Sequence, residues 1–164
     1  MIHHVSIPAA DPRHVAEVLG ELLGGHVGPF VGPIPGAWVA YANDEHGTGI
    51  EVYPDRTRLV PGTRDDEQGQ VVLGDAPAAV AFHALLSVAV DRQTIEAIGA
   101  REGWRTRHFW RGPPGNPLFE LYEFWVENRV MFELATPDML PGYVRITNAA
   151  AQRALLARRA LGLG

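Results

Sequence analysis

The sequence predicts an α+β fold made of two β-α-β-β-β modules, and three observations predict it. Each half of the chain holds one helical pattern with clear start and stop signals, set among strand-like runs. Each half ends in a strand with a glutamate between apolar residues and a proline soon after, in Gly49-Ile50-Glu51-Val52-Tyr53-Pro54 and in Met131-Phe132-Glu133-Leu134-Ala135-Thr136-Pro137. A histidine opens each half at a similar distance from that glutamate: His4 lies 47 residues before Glu51, and His83 lies 50 before Glu133.

The elements follow in order. Residues 4–9 are a short run of β-branched and small residues, a strand. Asp11-Pro12 supplies a helix N-cap with proline at the first helical position. Val15, Val18, Leu19 and Leu22 recur at helical spacing, and Gly24-Gly25 stops the helix. Strands are predicted at 27–30, 37–42 and 49–53, with Asn43-Asp44-Glu45-His46-Gly47 turning between the last two. The pattern then restarts with a strand at 82–90. Asp91 caps a helix carrying Ile95 and Ile98, and Gly103 ends it. Strands at 104–110, 118–126 and 130–135 follow, with Glu127-Asn128-Arg129 as the last turn. The organisation is thus a first module over 1–54, a linker over 55–81, a second module over 82–137 and an extension over 138–164. The linker, rich in Pro, Gly, Asp and Arg, reads as a solvated loop around Arg64-Asp65-Asp66-Glu67-Gln68-Gly69. One amphipathic helix is expected over 148–161, as a packing or dimer element.

Composition narrows the chemistry. The 164 residues, 46% hydrophobic and 20% charged, suit a soluble globular chain. Cysteine is absent, which removes disulfides, thiolate zinc sites, iron–sulfur clusters and cysteine nucleophiles. All 14 basic residues are arginine, so Schiff-base chemistry and a P-loop lysine are excluded as well. The net charge of -5 argues against a nucleic-acid footprint. The longest weakly charged run, 76–90, is too short to span a bilayer and carries Pro77, His83 and Ser87. A cytoplasmic protein with no membrane partner is the expectation. Ser6 and Ser87 lack a nucleophile-elbow sequence, which argues against serine hydrolysis.

Strand alternation then groups side chains by face. His4 and Ser6 oppose Val5 and Ile7; Glu51 and Tyr53 oppose Ile50 and Val52. His83 opposes Ala84 and Leu86, while Glu133 opposes Phe132 and Leu134. The aliphatic sets suit packing against the helices, which leaves two imidazoles and two carboxylates on the other faces. Buried carboxylates without partners cost several kcal/mol each. A divalent metal compensates them, with imidazole nitrogen and carboxylate oxygen as ligands.

Paired modules of this kind, with His at the start and Glu at the end of each, resemble the vicinal oxygen chelate superfamily. The resemblance covers residues 1–137, most closely at His4-Val5 and Phe132-Glu133-Leu134. It implies a cup of two curled modules, with His4, Glu51, His83 and Glu133 as ligands to Ni, Zn, Mn or Fe. The full His–Glu–His–Glu set is most similar to glyoxalase I. That similarity implies a lyase or isomerase acting on a small vicinal-oxygen substrate, with Glu133 as the base and Glu51 as the alternative base. An Fe(II) dioxygenase-like enzyme and a non-catalytic protein that sequesters a small molecule, as bleomycin-binding members do, are the other readings of the same fold. A homodimer is expected. The long linker and the C-terminal extension depart from glyoxalase I, and no match to its glutathione-holding residues is found. Arg105, Arg107 and Arg111 have the forked geometry that grips a carboxylate or phosphate. The expected substrate pocket comprises Arg105, Arg107, His108 and Tyr122. Glu120 and Glu123 have opposite parity, so one of them at most faces the cup.

Overall fold

Two aspartates start the two principal helices in the same way. Asp11 accepts the backbone N–H of His14 at 3.1 Å, and Asp91 accepts that of Thr94 at 2.8 Å. They cap α1 (Pro12–Leu23) and α2 (Arg92–Glu102) in a computed structural model that describes residues 2–61, 64, 69–77 and 80–161. The helices also stop alike. Gly24 and Gly103 take φ of 62° and 67°, a left-handed conformation that glycine adopts without steric cost. The next N–H reaches back in each case, from Gly25 to Gly20 O and from Trp104 to Gly99 O, both at 3.0 Å. Those acceptor glycines are themselves crowded. A Cβ on Gly20 would lie 2.4 Å from Val27 Cγ2, and one on Gly99 2.1 Å from Thr106 Oγ1. The internal repeat is therefore a repeat of caps and of close helix–strand contacts.

The first sheet holds β1 (His4–Ala9), β2 (His26–Pro29), β3 (Trp38–Tyr41) and β4 (Gly49–Pro54) in the order β1-β4-β3-β2. Between the modules lies a separate hairpin of β5 (Thr57–Val60) and β6 (Gln70–Leu73). The second sheet holds β7 (His83–Ser87), β8 (Thr106–Arg111), β9 (Phe119–Val126) and β10 (Val130–Ala135) in the matching order β7-β10-β9-β8. In each sheet the first and last strands pair parallel and the others antiparallel. A parallel pair needs a crossover, and α1 or α2 with the strands behind it provides that. One continuous core then joins the modules, with Ile7, Leu19 and Val52 from the first and Ile98, Phe124 and Phe132 from the second.

Polar contacts clamp the same joint. Glu127 and Asn128 form the β9–β10 turn at positive φ of 49° and 54°. The Glu127 carboxylate accepts from the N–H groups of Ala10 at 2.8 Å and Asp11 at 3.1 Å, and from Arg129 at 2.6 Å. Arg129 also reaches Asp55 at 3.2 Å. On the helices, His14 meets Glu102 at 2.6 Å, while Arg101 bridges Glu102 and Glu21.

The structure alters one expectation and adds a helix. The linker is not wholly loop: Thr57-Arg58-Leu59-Val60 pairs with Gln70-Val71-Val72-Leu73, two β-branched runs whose signal the charged stretch between them obscured. Residues 65–68 of the expected loop lie outside the described ones. The helix expected over 148–161 is present as α4 (Ala149–Ala160), and an unexpected helix, α3 (Leu140–Thr147), precedes it. Asn148 causes the break: its backbone is extended at ψ 156°, and its side-chain oxygen accepts from the N–H groups of Ala150 and Ala151. The residue expected to start this helix is thus its cap. No helix among the described residues is long and apolar enough to cross a membrane.

The clamp at Glu127 has a measurable share in stability. Glu127→Ala strands two backbone donors and lowers unfolding free energy by about 1–3 kcal/mol in chemical denaturation. Glu127→Gln, which keeps an acceptor oxygen, loses less. Equal stability of all three proteins would show that the turn does not hold the modules together.

Candidate functional site

The parallel edge pair sets the geometry of the site. In the first module His4 lies opposite Gly49 and Ser6 opposite Glu51. In the second, His83 lies opposite Met131 and Leu85 opposite Glu133. Each glutamate is therefore two residues beyond its histidine's partner, on the same face of the pair. The repeat places one imidazole and one carboxylate at equivalent points of both sheets.

In the first module the two groups meet. His4 Nε2 stands 3.8 Å from Glu51 Oε1, with the histidine largely exposed and the glutamate nearly covered. The other carboxylate oxygen, Oε2, accepts from Ser6 Oγ at 3.1 Å and from the Tyr53 hydroxyl. Those two donors fix the carboxylate's orientation. Burial, followed by the hydrogen bond to Glu51, pushes the Tyr53 phenol above its ordinary pKa, so it remains a donor. An apolar hollow of ≈ 340 Å³ adjoins this pair, lined by Ser6, Pro8, Tyr53, Leu59, Pro77 and Val80. Leu59 comes from the hairpin, which roofs the hollow.

In the second module the carboxylate turns elsewhere. Arg111 donates to Glu133 Oε1 at 2.9 Å and to Glu123 Oε1 at 2.7 Å, and so bridges the two. Trp125 Nε1 adds a bond of 3.3 Å to the other oxygen of Glu123. Burial alone would raise the Glu123 carboxyl; the bonds from Arg111 and Trp125 carry it below its ordinary pKa. His83 is exposed on its strand. Among the described residues, no three His, Asp or Glu side chains gather closely enough to hold a metal ion.

The register also settles which strand residues share a face. Glu133 lies opposite Glu123, so Glu123 faces with the candidate ligands and Glu120 does not. Arg105 and Arg107 fall on the Glu123 side by alternation, with Arg107 opposite Glu123 and the charge of Arg105 helping to lower its pKa. His108 and Tyr122 form a cross-strand pair of the opposite parity, turned toward α2. The four residues expected to form a substrate pocket thus alternate between the two faces of the sheet. All four border a different hollow, a groove of ≈ 600 Å³ between α2 and β8. Sequence reasoning missed Glu123 as a partner of Glu133, and Tyr53 and Ser6 as partners of Glu51. Parity alone put Tyr53 and Ser6 on the correct face, but the Glu123–Glu133 juxtaposition needs the β9–β10 register.

On the α2 side, Arg92 grips both oxygens of Glu120, at 2.8 and 2.7 Å, and reaches Asp138 at 2.7 Å. His108 Nε2 meets Glu120 at 2.7 Å. The bonds from Arg92 hold the Glu120 carboxyl below its ordinary pKa.

No family model matches the chain, and no curated protein matches it. Among solved structures, a fosfomycin resistance protein from Listeria monocytogenes aligns over 83% of this chain and 92% of its own, at 10% identity and a TM-score of 0.49. A lactoylglutathione lyase from Agrobacterium tumefaciens aligns over 84% and 93%, at 12% identity and a TM-score of 0.45. A glyoxalase/bleomycin resistance protein/dioxygenase from Alicyclobacillus acidocaldarius aligns over 83% and 90%, at 14% identity and a TM-score of 0.43. These are likenesses of fold, and nothing in the site rests on them. The two four-stranded sheets, of matching strand order, make up a pair of β-α-β-β-β modules.

The depressed carboxylates Glu102, Glu120 and Glu123 predict a direction for acid stability. Their contribution is complete above the ordinary carboxyl pKa of 4.5 and is lost as pH falls through their lower folded values. Unfolding free energy therefore declines below pH 4.5, and Glu120→Gln makes that decline shallower by removing one titrating group. An unchanged acid slope in Glu120→Gln would contradict the role given to Arg92.

Proposed function

We propose that the chain is a metal-dependent lyase or isomerase that moves a proton on a small substrate bearing adjacent oxygens. His4, Glu51, His83 and Glu133 would hold the metal. The observation that carries this reading is the equal register offset of histidine and glutamate on the parallel edge pair of both modules.

The donor set fits a dication. Two neutral imidazoles and two carboxylates cancel its charge, and both ligand types suit Ni, Zn, Mn or Fe. Ser6 and Tyr53 supply the outer hydrogen bonds that orient a ligating carboxylate. In the second module Arg111 now provides the positive charge that a metal would bring to Glu133. The helix-facing sides of both sheets contribute to the shared core, and no three candidate ligands gather among the described residues of one chain. The complete set therefore calls for two chains, the second module of one meeting the first module of its partner in a homodimer with two equal sites.

A bound dication would polarise the adjacent oxygens of the substrate and weaken the neighbouring C–H bond. Glu133 accepts that proton and returns it at the adjoining carbon. Because Arg111 holds Glu123 as well, it keeps a carboxylate partner when Glu133 is protonated. The hollow beside Tyr53 takes the apolar part of the substrate and keeps water from it.

Elemental analysis of protein purified without chelator tests the site. The expected result is about one divalent metal per chain, lost from the His83→Ala, Glu133→Ala double variant. A wild-type protein that carries no metal and takes up none of Ni, Zn, Mn or Fe would overturn the proposal. With a substrate that the wild type turns over, Glu133→Gln lowers kcat by about 10²–10⁴-fold. Retained turnover would assign the proton transfer to another group, with Glu51 first in line.

A further inference from the structure

The two helices cover their sheets unequally, and the difference leaves a groove. α1 buries Val15, Ala16, Val18, Leu19, Gly20 and Leu22, whereas α2 buries only Ile95, Ile98 and Gly99. Gly99 is pressed against Thr106, but beyond it the helix surface is bare. Ala100 is exposed, and a Cβ on Gly103 would meet nothing within 4 Å. The resulting groove of ≈ 600 Å³ lies on the α2 side of the second sheet, the face opposite to Glu133 and Glu123.

One wall is this small-residue helix surface, and the other carries rings. His108 and Tyr122 stand 5.4 Å apart, and Trp104 closes one end. A slot between a flat helix face and aromatic side chains suits a planar ligand.

Hydrogen bonding defines which planar ligand. Tyr122 donates its hydroxyl hydrogen to Glu96 Oε1 at 2.5 Å. Burial, followed by this bond, pushes the phenol up to about 12, so it stays protonated. Glu120, fixed and ionised by Arg92, takes the Nε2 proton of His108. Both donor hydrogens are thus committed inside the protein. The groups left for a ligand include two acceptors, the second oxygen of Glu96 and the lone pairs of the Tyr122 oxygen. The arginines at the rim do not reverse this. Arg105 and Arg107 alternate to the Glu123 face, and Arg107 donates to the carbonyl of Thr106.

We propose that the groove between α2 and β8 is a second ligand site, separate from the His/Glu cup, for a planar aromatic ligand presenting N–H donors, of the amidinium or amino-heterocycle class. Glu96 receives an N–H group at its second oxygen, and the His108 and Tyr122 rings lie together on one side of the ligand. The proposal does not depend on the metal reading, since no candidate ligand lines the groove.

Benzamidine is the probe, followed by protein-observed NMR and calorimetry, with benzoate as an anion of the same shape. Benzamidine binds saturably and benzoate does not. Glu96→Gln weakens benzamidine by about tenfold or more, as loss of a charge-assisted hydrogen bond requires. Ala100→Phe fills the groove from an exposed helix position and abolishes binding, while the His83→Ala, Glu133→Ala variant binds as the wild type does. Absence of saturable binding, equal binding of benzoate, or full binding by Ala100→Phe with wild-type melting temperature would each overturn the site.

Discussion

The parallel pairing of first and last strand in each module is the constraint on which the rest depends. It forces a helical crossover, and so requires the capped helix between them. It also fixes chemistry, because register decides what lies beside what. With His4 opposite Gly49 and His83 opposite Met131, Glu51 and Glu133 each fall two residues along on the same face. A slip of one residue would send each glutamate into the apolar face, among neighbours such as Val52 and Phe132, which are fully buried. The apolar alternation that builds the core therefore also holds the polar groups out of it.

The halves have diverged around that shared frame. The first keeps a well-covered sheet, and its carboxylate is oriented by Ser6 and Tyr53 beside an apolar hollow. The second keeps its carboxylate neutralised by Arg111, with Glu123 as a second acidic partner. Its helix buries less, and the space behind β8 remains open. One duplicated scaffold thus carries two unlike polar surroundings for the same His and Glu pair. Glu127 and the joint core hold the two together at the edge where the β9–β10 turn meets the start of α1.

How far the sequence reveals this follows from the range of each interaction. Asp11, Gly24, Asp91 and Gly103 act within a few residues, so both helices and their ends were readable directly. Strand alternation placed His4, Ser6, Glu51 and Tyr53 on one face for the same reason. The β5–β6 hairpin was hidden because its two strands are short and a charged stretch separates them. Asn148 was read as opening a helix, yet it also ends the one before, and only the chain's path shows both roles. The Glu123–Glu133–Arg111 cluster and the placement of His108 behind the sheet depend on pairing between strands. No local pattern records that register, which alone shows that the groove bordered by Arg105, Arg107, His108 and Tyr122 lies on the face away from Glu133.

The central claim is that two chains complete one metal site, and mixing half-site variants tests it most directly. One variant carries His4→Ala and Glu51→Ala; the other carries His83→Ala and Glu133→Ala. Each alone holds no metal. After co-refolding, mixed dimers combine an intact first module with an intact second module from the other chain, and metal returns to one of their two sites. If the mixture stays as metal-free as its components while the wild type holds metal, the ligands are gathered within a chain and the account of the site is wrong.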